Sequence, residues 1–217
     1  MDSFSVHTFI VGSMKENTYV ISNDASQDHT SLIIDPGDDW EYVSEHIGTL
    51  SSRPVAILLT HGHFDHVMAA FPLSYLYKIP VFMNPKDRFL LKRLGSTAKR
   101  FIGPNTDTMP PPETKPYDVS FLKKQFDSSD IDIIEVPGHT PGSVAVRVGM
   151  HVFSGDTVFA QGLIGRTDFS YGDKDAIRGS VQRLLSLPET VIVYSGHGEE
   201  TTVGNEKVFH ALLEKVE

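Results

Sequence analysis

The run His61-Gly62-His63-Phe64-Asp65-His66 constrains this chain more than any other feature. It sets three imidazoles and a carboxylate directly after Val55-Ala56-Ile57-Leu58-Leu59 and Thr60. A continuous apolar run bounded by Pro54 and Thr60 reads as a strand buried on both faces. Imidazoles crowded at the end of such a strand are costly unless a cation neutralises their crowding. The fold must therefore deliver a buried strand end to a place where a metal could sit.

The remaining composition narrows the donor chemistry. The chain of 217 residues has ten histidines and no cysteine. Without thiols, disulfide frameworks, thiolate zinc sites, iron–sulfur clusters and a cysteine nucleophile are all excluded. Imidazole and carboxylate remain as ligands. Two further histidines lie beside glycine at the ends of predicted strands: His139 in Pro137-Gly138-His139-Thr140-Pro141-Gly142, and His197 in Ser195-Gly196-His197-Gly198. Asp156 follows another strand in Ser154-Gly155-Asp156-Thr157. Ligand sites of α/β sheets form at such ends. Together with the cluster these make seven donors, too many for one four-coordinate ion and enough for two ions sharing a carboxylate. His7, His29, His46, His151 and His210 lack that context and read as ordinary residues.

Short apolar runs alternate with helix-like segments, which indicates α/β. Strands are predicted at Phe9–Val11, Thr18–Ile21 and Ser31–Ile34, followed by a turn at Asp35-Pro36-Gly37-Asp38. Trp40, Val43, Ile47 and Leu50 recur at helical spacing. A second set has strands at Ile131–Val136, Ser143–Val148, His151–Phe153 and Val191–Tyr194. Ala176, Ile177, Val181, Leu184 and Leu185 mark a helix within it, and Val208, Phe209, Leu212, Leu213 and Val216 predict the apolar stripe of a closing one. Two β-then-α sets imply sheet packed on sheet with helices outside, in a single domain over residues 1–217. Asn84–Tyr117, closing at Asp118, breaks the rhythm. It opens with a predicted helix at Pro85–Leu94 and holds five of the thirteen prolines between Pro104 and Pro116. It reads as an ordered excursion or lid, or as a surface connection.

The net charge of −9 argues against a nucleic-acid backbone as partner and disfavours an anionic membrane surface. Met1–Gly12 has no basic region ahead of an apolar core, and no stretch approaches the length of a bilayer span. A cytoplasmic protein is the expectation.

The set His61, His63, Asp65, His66, His139, Asp156 and His197 resembles the metallo-β-lactamase superfamily. The resemblance runs in order from Asn17-Thr18-Tyr19-Val20-Ile21 to Thr201-Thr202-Val203-Gly204-Asn205-Glu206-Lys207. Gly155-Asp156-Thr157-Val158-Phe159, Gly165-Arg166-Thr167-Asp168-Phe169 and Ser195-Gly196-His197-Gly198 are similar to its glyoxalase II-like, hydroxyacylglutathione hydrolase branch, especially the short bacterial members. The resemblance implies a four-layer αβ/βα sandwich with two divalent transition-metal ions, zinc first, with iron or manganese as the other candidates. One ion would take His61, His63 and His139, the other Asp65, His66 and His197, with Asp156 bridging. Two ions about 3.5–4 Å apart can hold a hydroxide and polarise a carbonyl, and coordination brings the pKa of water from 15.7 to roughly 7. The implied activity is hydrolysis of a small anionic acyl thioester such as S-lactoylglutathione, with Asp65 and Asp156 catalytic.

Departures from the branch bear on the substrate. Full-length glyoxalase II enzymes carry a C-terminal helical domain that grips glutathione, and here only 20 residues follow His197. Arg166 stands where such enzymes have a lysine; it could pair with a substrate carboxylate or with Asp168. Lys99 and Arg100 are further anion candidates. A persulfide dioxygenase, a branch that also shows Gly-Arg-Thr-Asp-Phe, would use a single iron on His61, His139 and Asp156. A non-catalytic metal-binding module on the same fold is a third reading. Asp156 and the absence of cysteine argue against the true β-lactamases, and the acidic charge against the RNA-processing members.

Overall fold

The computed structural model describes residues 4–213, the last by its backbone alone. Val216 of the predicted closing stripe lies outside the described residues. The first sheet runs β1 (Phe4–Val11), β2 (Glu16–Asn23), β3 (Thr30–Ile34), β4 (Arg53–Leu58), β5 (Val81–Phe82) and β6 (Thr114–Lys115), in spatial order β1-β2-β3-β4-β5-β6. The first three strands are antiparallel neighbours, and β3 to β6 run parallel. The second sheet holds β7 (Ile131–Glu135), β8 (Val144–Val148), β9 (His151–Gly155), β10 (Ile192–Ser195) and β11 (Thr201–Thr202), in order β11-β10-β9-β8-β7. Only β9 and β10 pair in parallel there.

Strand alternation explains why the two sheets stack. Tyr19, Ile21, Leu32, Ile34, Leu58, Val146, Phe153 and Tyr194 pack in one cluster between the sheets. Their neighbours Val20, Ile33 and Ile57 point the other way and join Val43 and Ile47 of α1 (Trp40–Thr49) and Leu73 of α2 (Ala70–Tyr77). Ala145, Val152 and Val193 face Ile177, Val181 and Leu184. Period-two side chains thus feed two faces of each sheet, and helices cover both outer faces. The result is the expected four-layer αβ/βα sandwich.

The excursion is built differently from its prediction. A 3₁₀ turn at Pro85–Asp87 leads into α3 (Arg88–Leu91) and α4 (Leu94–Phe101) in place of one helix over Pro85–Leu94. Leu91, Leu94 and Ala98 are buried in the outer cluster of the first sheet, and the proline-rich stretch returns to pair β6 with β5. Two helices were not read from sequence. α2 is apolar on nearly every side, so it shows no helical stripe, and its Pro72 sits in the first turn where no amide bond is lost. α5 (Val119–Phe126) is capped by Asp118, whose carboxylate accepts from the Phe121 amide at 2.9 Å. It inserts Leu122 and Phe126 between the sheets.

The second half closes with α6 (Lys174–Leu185) and α7 (Val203–Leu213). α7 corrects one expectation. Val208 and Leu212 are 60% and 55% exposed, so the described side chains of the predicted stripe face solvent. The helix is held by its first turn instead, where Val203 is buried and the buried Glu206 carboxylate accepts from the Gln161 and Gly162 amides and the Thr201 hydroxyl. Among the described residues no helix is long and apolar enough to cross a membrane.

Phe126 is fully buried and stacks on Phe4 with centroids 5.7 Å apart. Phe126→Ala is expected to cost about 3–5 kcal/mol by cavity formation, measured by urea unfolding. A cost below about 1 kcal/mol would show that α5 is peripheral to the core.

Candidate metal centre

Every donor singled out in the sequence follows the C-terminal end of a strand. His61 and His63 follow β4, His139 follows β7, Asp156 follows β9 and His197 follows β10. A short 3₁₀ turn at Phe64–His66 swings Asp65 and His66 back over the same spot. A register shift at Tyr194/Ser195 breaks the β9–β10 ladder just before His197. The first sheet is fastened here to the second: Asn17 Nδ2 donates to the Ser195 and Gly198 carbonyls, and the Tyr19 hydroxyl to Ser195 at 2.6 Å.

The structure brings all seven residues together. His61, His63, His139 and Asp156 form one group and Asp65, His66 and His197 another, with donor atoms inside each group within 4.8 Å of one another; His61 and His66 also form such a group with Asp35. Asp156 stands between the first two. Its Oδ2 lies 3.4 Å from His139 Nε2, while Oδ1 lies 3.5 Å from His66 Nε2 and 3.9 Å from His197 Nε2. His197 Nε2 is 3.4 Å from Asp65 Oδ2. Gly196 makes this approach possible, because a Cβ there would come within 2.3 Å of Asp156 Oδ1 and 2.5 Å of the His66 ring.

Inside the first group three ring nitrogens face one another. His63 Nδ1 is 3.1 Å from His61 Nε2 and 2.9 Å from His139 Nε2. The opposite nitrogen of every ring is engaged outside: His61 with the Thr60 hydroxyl, His63 with the Tyr171 hydroxyl, His66 with Asp35, His139 with the Arg166 carbonyl and His197 with the Lys15 carbonyl. Such outer partners fix ring orientation and tautomer, as they do around bound metals.

The electrostatics are those of a cation site. Burial drives the His61 imidazole well below its usual range, helped by His66 and His63, and burial with His139 takes His63 down to about 3. Both rings therefore present neutral lone pairs, the form that ligates. Burial alone would raise Asp156 and Asp65. His66 and His61 reverse this for Asp156, and the His197 hydrogen bond reverses it for Asp65, so both remain ionised. Against the same burial, Asp156 and Asp35 hold His66 protonated, and Asp65 does so for His197. Even so His66 Nε2 and Asp156 Oδ1, 3.5 Å apart, are buried without making a hydrogen bond, and divalent ions would coordinate both. The donor set fits divalent cations.

Residues 12–197 match the family described as the Metallo-beta-lactamase superfamily. The chain belongs to that superfamily. Hydroxyacylglutathione hydrolase GloC of Haemophilus influenzae is 37% identical over 201 residues, covering 91% of this chain and 92% of that protein. The crystal structure of TTHA1623 in a di-iron-bound form superposes with a TM-score of 0.81 at 33% identity, covering 95% of this chain and 99% of that one. The BLEG-1 B3 metallo-beta-lactamase superposes at 0.80 with 31% identity, covering 96% and 99%. A His/Asp cluster on this metallo-hydrolase scaffold is suited to divalent metal ions.

Two supporting carboxylates were not read as site residues. Asp35, seen only as part of a turn, has φ 47 and accepts from the Thr60 amide at 2.7 Å and hydroxyl at 2.5 Å while meeting His66 Nδ1 at 3.0 Å. A non-glycine residue held in that region is a mark of positioning. Asp87 is fully buried and joins both loops of the first group. Its Oδ2 accepts from the Gly62 amide at 3.0 Å and the Thr140 hydroxyl at 2.6 Å, and its Oδ1 from the Gly142 amide at 2.7 Å. Neither signal is local, since each carboxylate meets its partners 25 or more residues away in sequence. Arg166, by contrast, is held bidentately by Asp168 at 2.6 and 2.5 Å and lies over the Phe169 ring. Of its two sequence-level readings, the structure displays the ion pair.

Asp87→Asn replaces one acceptor with a donor that faces other donors. Metal titration against a competing chelator is expected to show affinity falling about 10- to 100-fold. Unchanged affinity would leave Asp87 a packing residue only.

Proposed function

We propose that this chain is a dinuclear metal-dependent hydrolase that cleaves a small anionic acyl thioester, with S-lactoylglutathione as the representative substrate. The observation carrying the reading is Asp156, one of whose oxygens faces His139 and the other His66 and His197. A mononuclear centre gives no use for Asp65, His66 and His197 gathered on the far side of that carboxylate. In this reading His61, His63 and His139 hold one ion, Asp65, His66 and His197 hold the other, and Asp156 is shared. The ions, zinc first with iron or manganese as alternatives, would supply an activated water and polarise the substrate carbonyl. The di-iron form of TTHA1623 supports iron as one of those alternatives.

The chain's own residues then do the following. Phe169 packs edge-on against His63 and His139, with centroids 5.1 and 5.8 Å away, and stacks on Tyr171. These rings form an apolar wall that orders the imidazoles and restricts water on that side. Asp65 lines the cavity and, ionised, accepts a proton as the tetrahedral species breaks down. A thiolate leaves with little acid assistance, so no strong general acid is required. The identity shared with GloC supports the thioester.

The test combines metal analysis with turnover. About two transition-metal ions per chain and cleavage of S-lactoylglutathione are expected. One iron with oxygen uptake on glutathione persulfide would replace this reading by the dioxygenase, and turnover of a chromogenic β-lactam alone would replace it by the activity named for BLEG-1. Asp156→Asn is expected to lower metal content and turnover together, by about 100-fold or more in turnover. A variant that keeps both metals and full activity would remove Asp156 as the shared ligand.

A further inference from the structure

We propose that Met14, Phe64, Leu90 and Phe101 form a subsite for an apolar chain on the acyl half of the substrate, an assignment that rests on the hydrolase reading above. The donor residues His63, Asp65, His139, Asp156 and His197 line a cavity of about 1040 Å³, and these four apolar side chains line it with them.

The donor run supplies the first apolar surface itself. Phe64 stands between His63 and Asp65 in the 3₁₀ turn that swings Asp65 and His66 over the centre, and it packs into the outer cluster of the first sheet. Its ring stacks on that of Phe101, the last residue of α4, with centroids 5.8 Å apart and planes 19° from parallel. Phe101 is nevertheless 47% exposed. Leu90 reaches the same cavity from α3. Met14, 38% exposed, reaches it from the turn between β1 and β2. Met14 and Ile102 also share a smaller adjoining cavity with Asp65 and Met68, so that turn lies next to the end of α4.

Exposed apolar side chains scattered singly need no explanation. Here Met14 and Phe101 converge with Phe64 and Leu90 on one cavity, beside the residues that would hold the ions. An aromatic ring and a flexible thioether are surfaces that accept apolar chains of varied shape. The cavity's polar lining lies elsewhere or outward of this wall. Arg166 and Asp168 are paired on the loop before α6, and α4 adds Ser96, Thr97 and Arg100, whose guanidinium lies over the Phe101 ring at 5.9 Å. A thioester carbonyl at the donors has one substituent on each side. A peptide thiol is matched by the polar groups, which leaves the apolar wall beside Asp65 to the acyl chain. A lactoyl group offers that wall a single methyl, and a longer alkyl chain would cover it.

The experiment compares three thioesters on the metal-loaded enzyme: S-lactoylglutathione, S-2-hydroxyhexanoylglutathione and the lactoyl thioester of hexanethiol. The two glutathione esters share the thiol and the α-hydroxyl and differ by three methylenes. The wild-type protein is expected to favour the hydroxyhexanoyl ester over the lactoyl ester about tenfold or more in kcat/KM. Raising salt is expected not to shrink that preference, because apolar burial is not screened. Phe101→Ala and Met14→Ala are each expected to cut the hydroxyhexanoyl-to-lactoyl ratio about threefold or more, and Phe101→Leu to keep most of it. The ratio is internal to each protein, so a general loss of activity cancels from it. Equal use of the two glutathione esters by wild type, or preference for lactoyl, overturns the subsite while the hydrolase reading stands. An unchanged ratio in both alanine variants overturns its assignment to this wall. A fall confined to the hexanethiol ester in those variants overturns the acyl assignment, since the wall then takes the thiol half. No turnover of any of the three overturns the hydrolase reading and the subsite with it.

Discussion

Asp156 turns one oxygen toward His139 and the other toward His66 and His197, and the surrounding loops are arranged around that carboxylate. Its position follows from two features of the second sheet. β9 ends in Gly155 at φ 51, and the β9–β10 register shifts one step before His197. Glycine at position 196 leaves the space that lets His66 and Asp156 approach. Buried charge of this density is unfavourable in a bare protein interior. It becomes tolerable when ionised carboxylates and neutral imidazoles surround cations.

The fold secures this arrangement with buried carboxylates that accept from backbone. Asp35 fixes Thr60 and meets His66. Asp87 joins the loop carrying His61 and His63 to the loop carrying His139. Glu206 performs the same task away from the centre, tying α7 to the Gln161–Gly162 turn. Each replaces several otherwise unpaired amides or hydroxyls with charge-assisted hydrogen bonds, which hold loops where secondary structure does not. The segment from Pro85 to Phe101 consequently serves two ends. Its buried leucines and Asp87 complete the scaffold, and its outer face lines the cavity.

Legibility divided along the range of the interactions. The HxHxDH run was readable because its donors are contiguous and follow an apolar strand, and His139, Asp156 and His197 because glycine flanks each of them. The strand sets and the helices α1 and α6 were readable from period-two and helical spacing. α2 was not, since nearly all of its residues are apolar and no helical stripe stands out from them. α7 misled, because its Val208 and Leu212 stripe reports spacing alone and says nothing about what stands opposite.

The sequence by itself therefore determined the donor chemistry: imidazole and carboxylate without thiol, in a sheet-and-helix chain of the metallo-beta-lactamase superfamily. Only the tertiary structure decided that Asp35 and Asp87 brace the donor loops and that Arg166 is held by Asp168. The physical reason is that residue identity fixes what a side chain can donate or accept. Packing of segments as far apart as Asn17 and Ser195 fixes what it meets.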